Sequence, residues 1–198
     1  MEAVQLERPQ QGDQSRAEFG TLSRDSWRAL FHEIADGRVQ ALERLYDLAS
    51  RRLFGLALWH TGSRDDACDV VQEVMVRVAE QRHRLAKVRD PRAWLLTVAY
   101  RMSVDVIRRR KRRPSEPLGE HPYLTAPDVD SARAVDAERV SKLLGRLPPA
   151  QRDAVYLREY ADCSFAEIGS IVGVPTFTAA SRYRLGIDRL RRLVEESS

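Results

Sequence analysis

Asp65, Asp66, Asp69 and Glu73 place four carboxylates within nine residues, enough negative charge to hold a cation or a basic partner. Asp69 and Glu73 stand four positions apart, so on a helix both face the same way and can meet Arg or Lys on a partner helix. With His60 the same acids could form a metal or acid–base site. That reading lacks a second cluster and a Gly-rich phosphate loop, so no catalytic residue, metal or cofactor is expected. A second chemistry is cationic. Arg108, Arg109, Arg110, Lys111, Arg112 and Arg113 are the densest basic run, suited to phosphates and to binding that weakens steeply with salt. A third set lies near the C-terminus: Phe177, Thr178 and Ser181, with Arg182 and Arg184 at the flanks. Thr and Phe can touch thymine methyl groups, Ser can hydrogen-bond, and Arg can read guanine or hold phosphate.

These groups need helices to position them, and the apolar spacing supplies helices. Asp25 or Ser26 can cap a first helix carrying Trp27, Leu30, Phe31 and Ile34, broken by Gly37. Ala41, Leu42, Leu45, Tyr46, Ala49, Leu53 and Leu56 recur at spacings of three and four and predict a second, ended by Gly62. Ser63 caps a third, where Ala67, Val70, Val71, Val74, Met75 and Val78 form one stripe and the acids project elsewhere. Gln81 to Asp90 reads as a loop. Pro91 then opens a fourth helix with Trp94, Leu95, Val98, Ala99, Met102 and Val106, Trp94 being assigned to the core.

Five prolines or glycines between Pro114 and Pro127 forbid a long helix there and mark a linker. Beyond it, Val140, Leu143, Leu144 and Leu147 form a short helix closed by Pro148 and Pro149, and Ala154, Leu157 and Ala161 mark the next. In SFAEIGSIVGVP, Ser164 and Glu167 have capping-box spacing and Gly173 turns the chain. A last helix runs from about Thr176 to Glu195, with Ala179, Tyr183, Ile187, Leu190 and Val194 expected to pack inward. Two short helices around Gly173-Val174-Pro175 have the form of a helix-turn-helix.

The expected fold is all-α: a polar N-terminal extension over 1–24, a helical bundle over 25–113, a flexible linker over 114–134 and a helix-turn-helix domain over 135–198. The chain has 198 residues, 31% charged and 43% hydrophobic, with a net charge of +4, as expected for a mostly folded protein with segregated surface charge. Cys68 and Cys163 are far apart and match no zinc or disulfide spacing. No segment resembles a signal peptide or a bilayer span, so the expectation is a cytoplasmic protein with no membrane insertion.

Two stretches together resemble the sigma-70 family of bacterial RNA polymerase sigma factors, in its extracytoplasmic-function branch. One is ALERLYDLASRRLFGLALWHTGSRDDACDVVQEVMVRVAEQ followed by PRAWLLTVAYRMSVDVIRRRKRR. The other is LLGRLPPAQRDAVYLREYADCSFAEIGSIVGVPTFTAASRYRLGIDRLRRLV. The resemblance covers roughly residues 40–113 and 138–194. It implies a promoter-directing subunit, not an enzyme, whose partners are core RNA polymerase and promoter DNA. Asp66, Asp69, Gln72 and Glu73 would dock on the clamp of the largest polymerase subunit, and the second module would meet the flap of the second-largest. Arg92, Thr97, Tyr100, Arg101, Asp105, Arg108 and Arg109 would handle minus-ten DNA, with Tyr100 and Arg101 the foremost single-strand contacts. Phe177, Thr178, Ser181, Arg182 and Arg184 would read the minus-thirty-five element. Members of the branch are commonly held by an anti-sigma factor.

Two departures stand out. Where relatives often show a pattern like GTVKSR at the recognition helix, this chain has FTAASR, with Phe177 and Ala180 in place of the glycine and the basic residue. Cys68 replaces a common acid and is expected to be a small buried cysteine. Rival readings are a stand-alone helix-turn-helix regulator, which leaves DVVQEV and the first module without a purpose, and a sigma-like protein that has lost transcription activity.

Overall fold

A computed structural model of the chain describes residues 19–112 and 143–196. Among them are helices and no strand. The polar residues 1–18, Arg113, the linker expected over 114–134 and the helical start expected at Val140 lie outside the described residues.

The first module comprises α1 (Arg24–Ala35), α2 (Val39–Thr61), α3 (Arg64–Glu80), a single turn α4 (Arg82–Leu85) and α5 (Pro91–Arg112). Side-chain oxygens fix its helix starts. Ser23 Oγ accepts from Ser26 N at 3.0 Å, so the cap of α1 is Ser23 and not Asp25 or Ser26. Ser63 Oγ accepts from Asp66 N at 3.3 Å, as the sequence predicts. Asp90 Oδ1 accepts from Ala93 N at 3.0 Å and caps α5 ahead of Pro91. Leu45, Leu53 and Leu56 of α2 are fully buried with Val74 and Val78 of α3 and Leu95, Leu96 and Ala99 of α5. Each of these leucines and valines contributes about 1.5–3 kcal/mol by leaving water. The stretch 81–90 is not a plain loop, because Leu85 is buried and pulls residues 82–85 into a helical turn. Nor is the end of the N-terminal segment loose. Residues 19–21 are helical, and Phe19 is fully buried edge-on to Trp27, ring centroids 5.3 Å apart.

The second module comprises α6 (Pro149–Glu159), α7 (Phe165–Val172) and α8 (Thr176–Glu195). Ser164 and Glu167 form the capping box: the Ser164 side chain accepts from Glu167 N, and Glu167 Oε2 accepts from Ser164 N at 2.7 Å. Gly173 sits in the left-handed region at φ 73°, which glycine adopts without a Cβ clash. Gly169 lets α7 approach the next turn closely; a Cβ there would stand 2.6 Å from the carbonyl oxygen of Val174. The inward face of α8 is centred on Ala179, Gly186 and Leu193, with Tyr183, Ile187 and Leu190 partly buried beside it. Val194, expected inside, is 43% exposed, because the buried line runs one residue earlier.

The modules touch. Helix α5 packs against α7 across the module boundary.

Candidate polymerase and promoter interfaces

On α3 the stripe Ala67, Val70, Val71, Val74 and Val78 is buried, which turns Asp69, Gln72 and Glu73 outward. Val76, 48% exposed, lies beside this row and adds an apolar contact of the kind that leaves water when a partner helix docks. Asp66 does not belong with the row. Its carboxylate lies 2.5 Å from Arg110, whose Nη1 also donates to the carbonyl of Thr61 at 3.2 Å. Asp66 is therefore a brace between α3 and the end of α5. Cys68 is exposed, contrary to expectation, because its position falls on the outward side of the valine stripe.

The residues assigned to minus-ten DNA separate into two groups. Arg101, Asp105, Arg108 and Arg109 are exposed along the C-terminal half of α5. Asp105 pairs with Arg108 at 3.6 Å, and its backbone carbonyl accepts from Arg109 Nε at 3.4 Å. Exposed pairs of this sort are worth at most about 1 kcal/mol, so they leave these cations available to phosphates. Thr97 is half-buried and its hydroxyl donates back to Ala93 O at 2.7 Å. Trp94 packs edge-on to Phe31 at 5.9 Å, as the core assignment expects.

Arg92 and Tyr100 face the second module. Arg92 donates to the carbonyls of Ala161 and Asp162, each at 3.2 Å, and to Glu167 Oε1 at 2.8 Å. Burial works against the Arg92 charge, but the Glu167 hydrogen bond and charge outweigh it and raise the pKa. Burial likewise opposes the Glu167 carboxylate, and the Ser164 and Arg92 hydrogen bonds overcome it, holding Glu167 below its ordinary value. Tyr100 donates to Asp153 Oδ2 at 3.3 Å; burial, and then Asp153, push its phenol up to about 12. His60 Nε2 lies 3.4 Å from Asp153 Oδ1, the two side chains only 7% and 9% exposed. Burial lowers the His60 pKa despite the neighbouring carboxylate, so at neutral pH the imidazole is uncharged. Burial also raises Asp153, against the pull of His60, Arg152 and Tyr100.

On α8, Phe177 is 75% exposed and Arg184 is exposed, while Thr178, Ser181 and Arg182 are half-buried. Arg182 lies close enough to Tyr100 and Asp153 for its charge to favour the ionised form of each. The outward face of this helix thus presents an aromatic ring and an arginine.

Residues 45–113 match Sigma-70 region 2, and residues 137–190 match Sigma-70, region 4. The chain is 30% identical over 180 residues to the ECF RNA polymerase sigma factor SigK of Mycobacterium ulcerans, covering 87% of this chain and 96% of that one. The chain belongs to the extracytoplasmic-function sigma factors of the sigma-70 family. It is also 28% identical over 173 residues to the ECF RNA polymerase sigma factor RpoE of Cereibacter sphaeroides, covering 85% and 95% of the two chains. Two solved structures share the fold, each with a TM-score of 0.63 and 22% identity. CnrH in complex with the cytosolic domain of CnrY is matched over 86% of this chain and 98% of that one. The sigma factor RpoE in complex with the anti-sigma factor NepR from Bartonella quintana is matched over 79% and 98%. As a sigma factor the chain binds core RNA polymerase and directs promoter-specific initiation, through minus-ten DNA with its first module and minus-thirty-five DNA with its second.

The contacts of His60 with Asp153, of Arg92 with Glu167 and of Trp59 with Tyr156 escaped the sequence reading. No local pattern announces them, since each joins residues from separate modules. Among the described residues no helix is long and apolar enough to cross a membrane.

Proposed function

We propose that the sigma factor divides its contacts by residue as follows. Asp69, Gln72 and Glu73, with Val76 beside them, dock on basic residues of the largest-subunit clamp. Arg101, Arg108 and Arg109 track the phosphates of minus-ten DNA while Arg92 and Tyr100 engage its separated strand. Phe177, Thr178, Ser181 and Arg184 enter the major groove of the minus-thirty-five element, and Arg182 joins them from the helix edge. The second module also meets the flap of the second-largest subunit. Phe177 and Ala180 in place of the family's glycine and basic residue shift that reading toward apolar contact, such as thymine methyl groups.

The observation that carries this assignment is the segregation of charge on the first module. The acidic row on α3 and the basic end of α5 are both exposed, yet the Asp66–Arg110 contact keeps their two helices in a fixed relation. A protein partner and a polyanion can therefore be bound together without competing for one surface. The chain contributes no catalysis of its own and acts in the cytoplasm. CnrH was solved with the cytosolic domain of CnrY bound, and the Bartonella RpoE with the anti-sigma factor NepR. By analogy, an anti-sigma factor is a partner of this chain also. In vitro transcription with core polymerase on a genomic library tests the reading. Start sites enriched by the protein support it, and failure to associate with core polymerase overturns it.

A further inference from the structure

Two large apolar side chains stand exposed on one face of α8. Phe177 is 75% exposed, more than any other large apolar side chain among the described residues, and Leu185 is 53% exposed. At about 3.6 residues per turn, Phe177, Ser181, Arg184 and Leu185 fall within roughly 100° of arc. That arc lies opposite the buried line of Ala179, Gly186 and Leu193. The packing behind it is close: a Cβ on Gly186 would stand 2.8 Å from Val155 Cγ2 of α6. Seating Gly186 against α6 in this way holds Leu185, one position earlier, outward.

We infer that Phe177 and Leu185 are specificity residues that bind the 5-methyl groups of two thymines, about three or four base pairs apart, in the minus-thirty-five element. This rests on the promoter role proposed above for α8; it adds Leu185 to that role and makes the methyl group the feature that is read. The chemistry selects the methyl. In the major groove every base pair offers hydrogen-bonding edges, and only thymine adds an apolar group, at C5. A phenyl ring and an isobutyl group gain nothing from the polar edges of guanine, adenine or cytosine, and covering those edges without a partner is costly. Charge on the same helix selects the partner. Arg184, Arg189, Arg191 and Arg192 are exposed, so the apolar pair stands in a cationic frame suited to phosphates. Asp188 is also exposed, and Arg191 at 3.6 Å offsets its charge. A purely apolar protein groove would not match those cations.

The spacing of the two thymines follows from the helix. Phe177 and Leu185 are eight residues apart, about 12 Å along the axis at roughly 1.5 Å per residue. With α8 lying in the major groove, that length covers about three or four base pairs at roughly 3.4 Å each. Ser181 and Arg184 fall between the two apolar groups, where they reach the intervening base edges or a phosphate. Ala180, half-buried beside them, adds no competing polar group.

The test uses the full-length chain with core polymerase on a promoter fragment taken from the start sites that the protein enriches on a genomic library. Each thymine of the upstream element is replaced in turn by deoxyuridine, which removes only the methyl group, and binding is read by competition. The expected result is two sensitive positions about three or four base pairs apart, each losing roughly fourfold in affinity, the worth of one buried methyl group. Phe177→Ala should abolish the sensitivity at one position and Leu185→Ala at the other. Both variants should keep the wild-type circular dichroism, because both side chains are exposed. At a sensitive position, 5-methylcytosine should bind more tightly than cytosine. Fewer than two sensitive positions overturns the inference, as does sensitivity that survives both substitutions. Loss of core polymerase binding in the variants, with methyl sensitivity intact, would place the two side chains in a protein interface and overturn it too. In each of these outcomes, loss of initiation on scrambling the upstream element leaves the minus-thirty-five role of α8 standing. If scrambling changes nothing, that role fails and the methyl reading falls with it.

Discussion

The hydroxyl of Tyr100 donates to Asp153 Oδ2 at 3.3 Å across 53 residues of sequence. Neither residue carries a local signal of this contact. Asp153 sits inside an amphipathic turn of α6, and Tyr100 on a helix whose C-terminal arginines are exposed. Because the carboxylate also faces His60, Arg152 and Arg182, it ties three helices and both modules to one ionisable point.

That point should respond to acid. His60 has its pKa lowered from 6.5 where the modules touch, so its protonation opposes their contact. The stabilising effect of its neutral form is present above pH 6.5 and is lost as pH falls from there toward the lowered value. Asp153 runs the other way: its raised pKa makes protonation favour contact, in a window that begins above the ordinary carboxylate value of 3.8. The other charged or titratable groups facing the pair are Arg152 from α6, Tyr100 from α5 and Arg182 from α8. In the wild-type chain the two groups therefore oppose each other as pH falls below 6.5, and His60→Gln should leave only the Asp153 response, so the variant should keep the two modules together in scattering at a lower pH than the wild type. Equal behaviour of the two chains would remove His60 from the balance.

Reversing the acidic row should separate polymerase binding from folding. Asp69→Lys with Glu73→Lys removes two exposed carboxylates that touch no core residue. Thermal stability should change by less than about 1 kcal/mol, while capture of core polymerase in a pull-down should be abolished. Asp66→Lys should behave differently, lowering stability because it opposes Arg110.

On the recognition helix, Arg184→Ala should weaken duplex binding to a cognate upstream element by about 1–3 kcal/mol if it reads a base, with relaxed specificity at one position. If it holds phosphate, the loss should be uniform across sequences and the salt slope should fall by about one. Anisotropy titrations at several salt concentrations distinguish the two, and no change in either quantity would remove Arg184 from the interface.

The two cysteines should differ in reactivity. Cys68 is exposed and should react readily with a maleimide. Cys163 is fully buried and its thiol is pushed up to about 12, first by burial, so almost none is thiolate at pH 8. Mass spectrometry should find one rapidly labelled site in the native chain and two after denaturation. Arg92→Ala should speed labelling of Cys163, since the Arg92 side chain lies beside it, and an unchanged rate would show that the second module alone shields the thiol.

Much of this fold was legible because its helices are long and locally consistent. The three-and-four spacing of α2 and α3, Ser63 as a cap, and the Ser164–Glu167 capping box are all encoded within a few residues. Misplaced details depended on competition between neighbours or on distant partners. Ser23, Asp25 and Ser26 all have capping side chains, and only the backbone path selects Ser23. Leu85 looked like part of a loop until the bundle provided a place to bury it. Phe19 sits in a polar stretch, and Trp27 is what gives it a role. For the site, exposed residues such as Asp69, Glu73, Arg108 and Phe177 were readable from helix faces. The division of Arg92 and Tyr100 from the rest of α5 was not, because their partners lie 53 to 75 residues away.

The contact between Asp66 and Arg110 gives the two working surfaces of the first module a shared lever. Asp66 begins the helix that carries the acidic row, and Arg110 lies within the run of arginines at the end of α5. Any tilt imposed on α3 when a large assembly grips it is transmitted through that pair to the arginines. Engagement of the enzyme can in this way re-aim the cationic track before nucleic acid arrives.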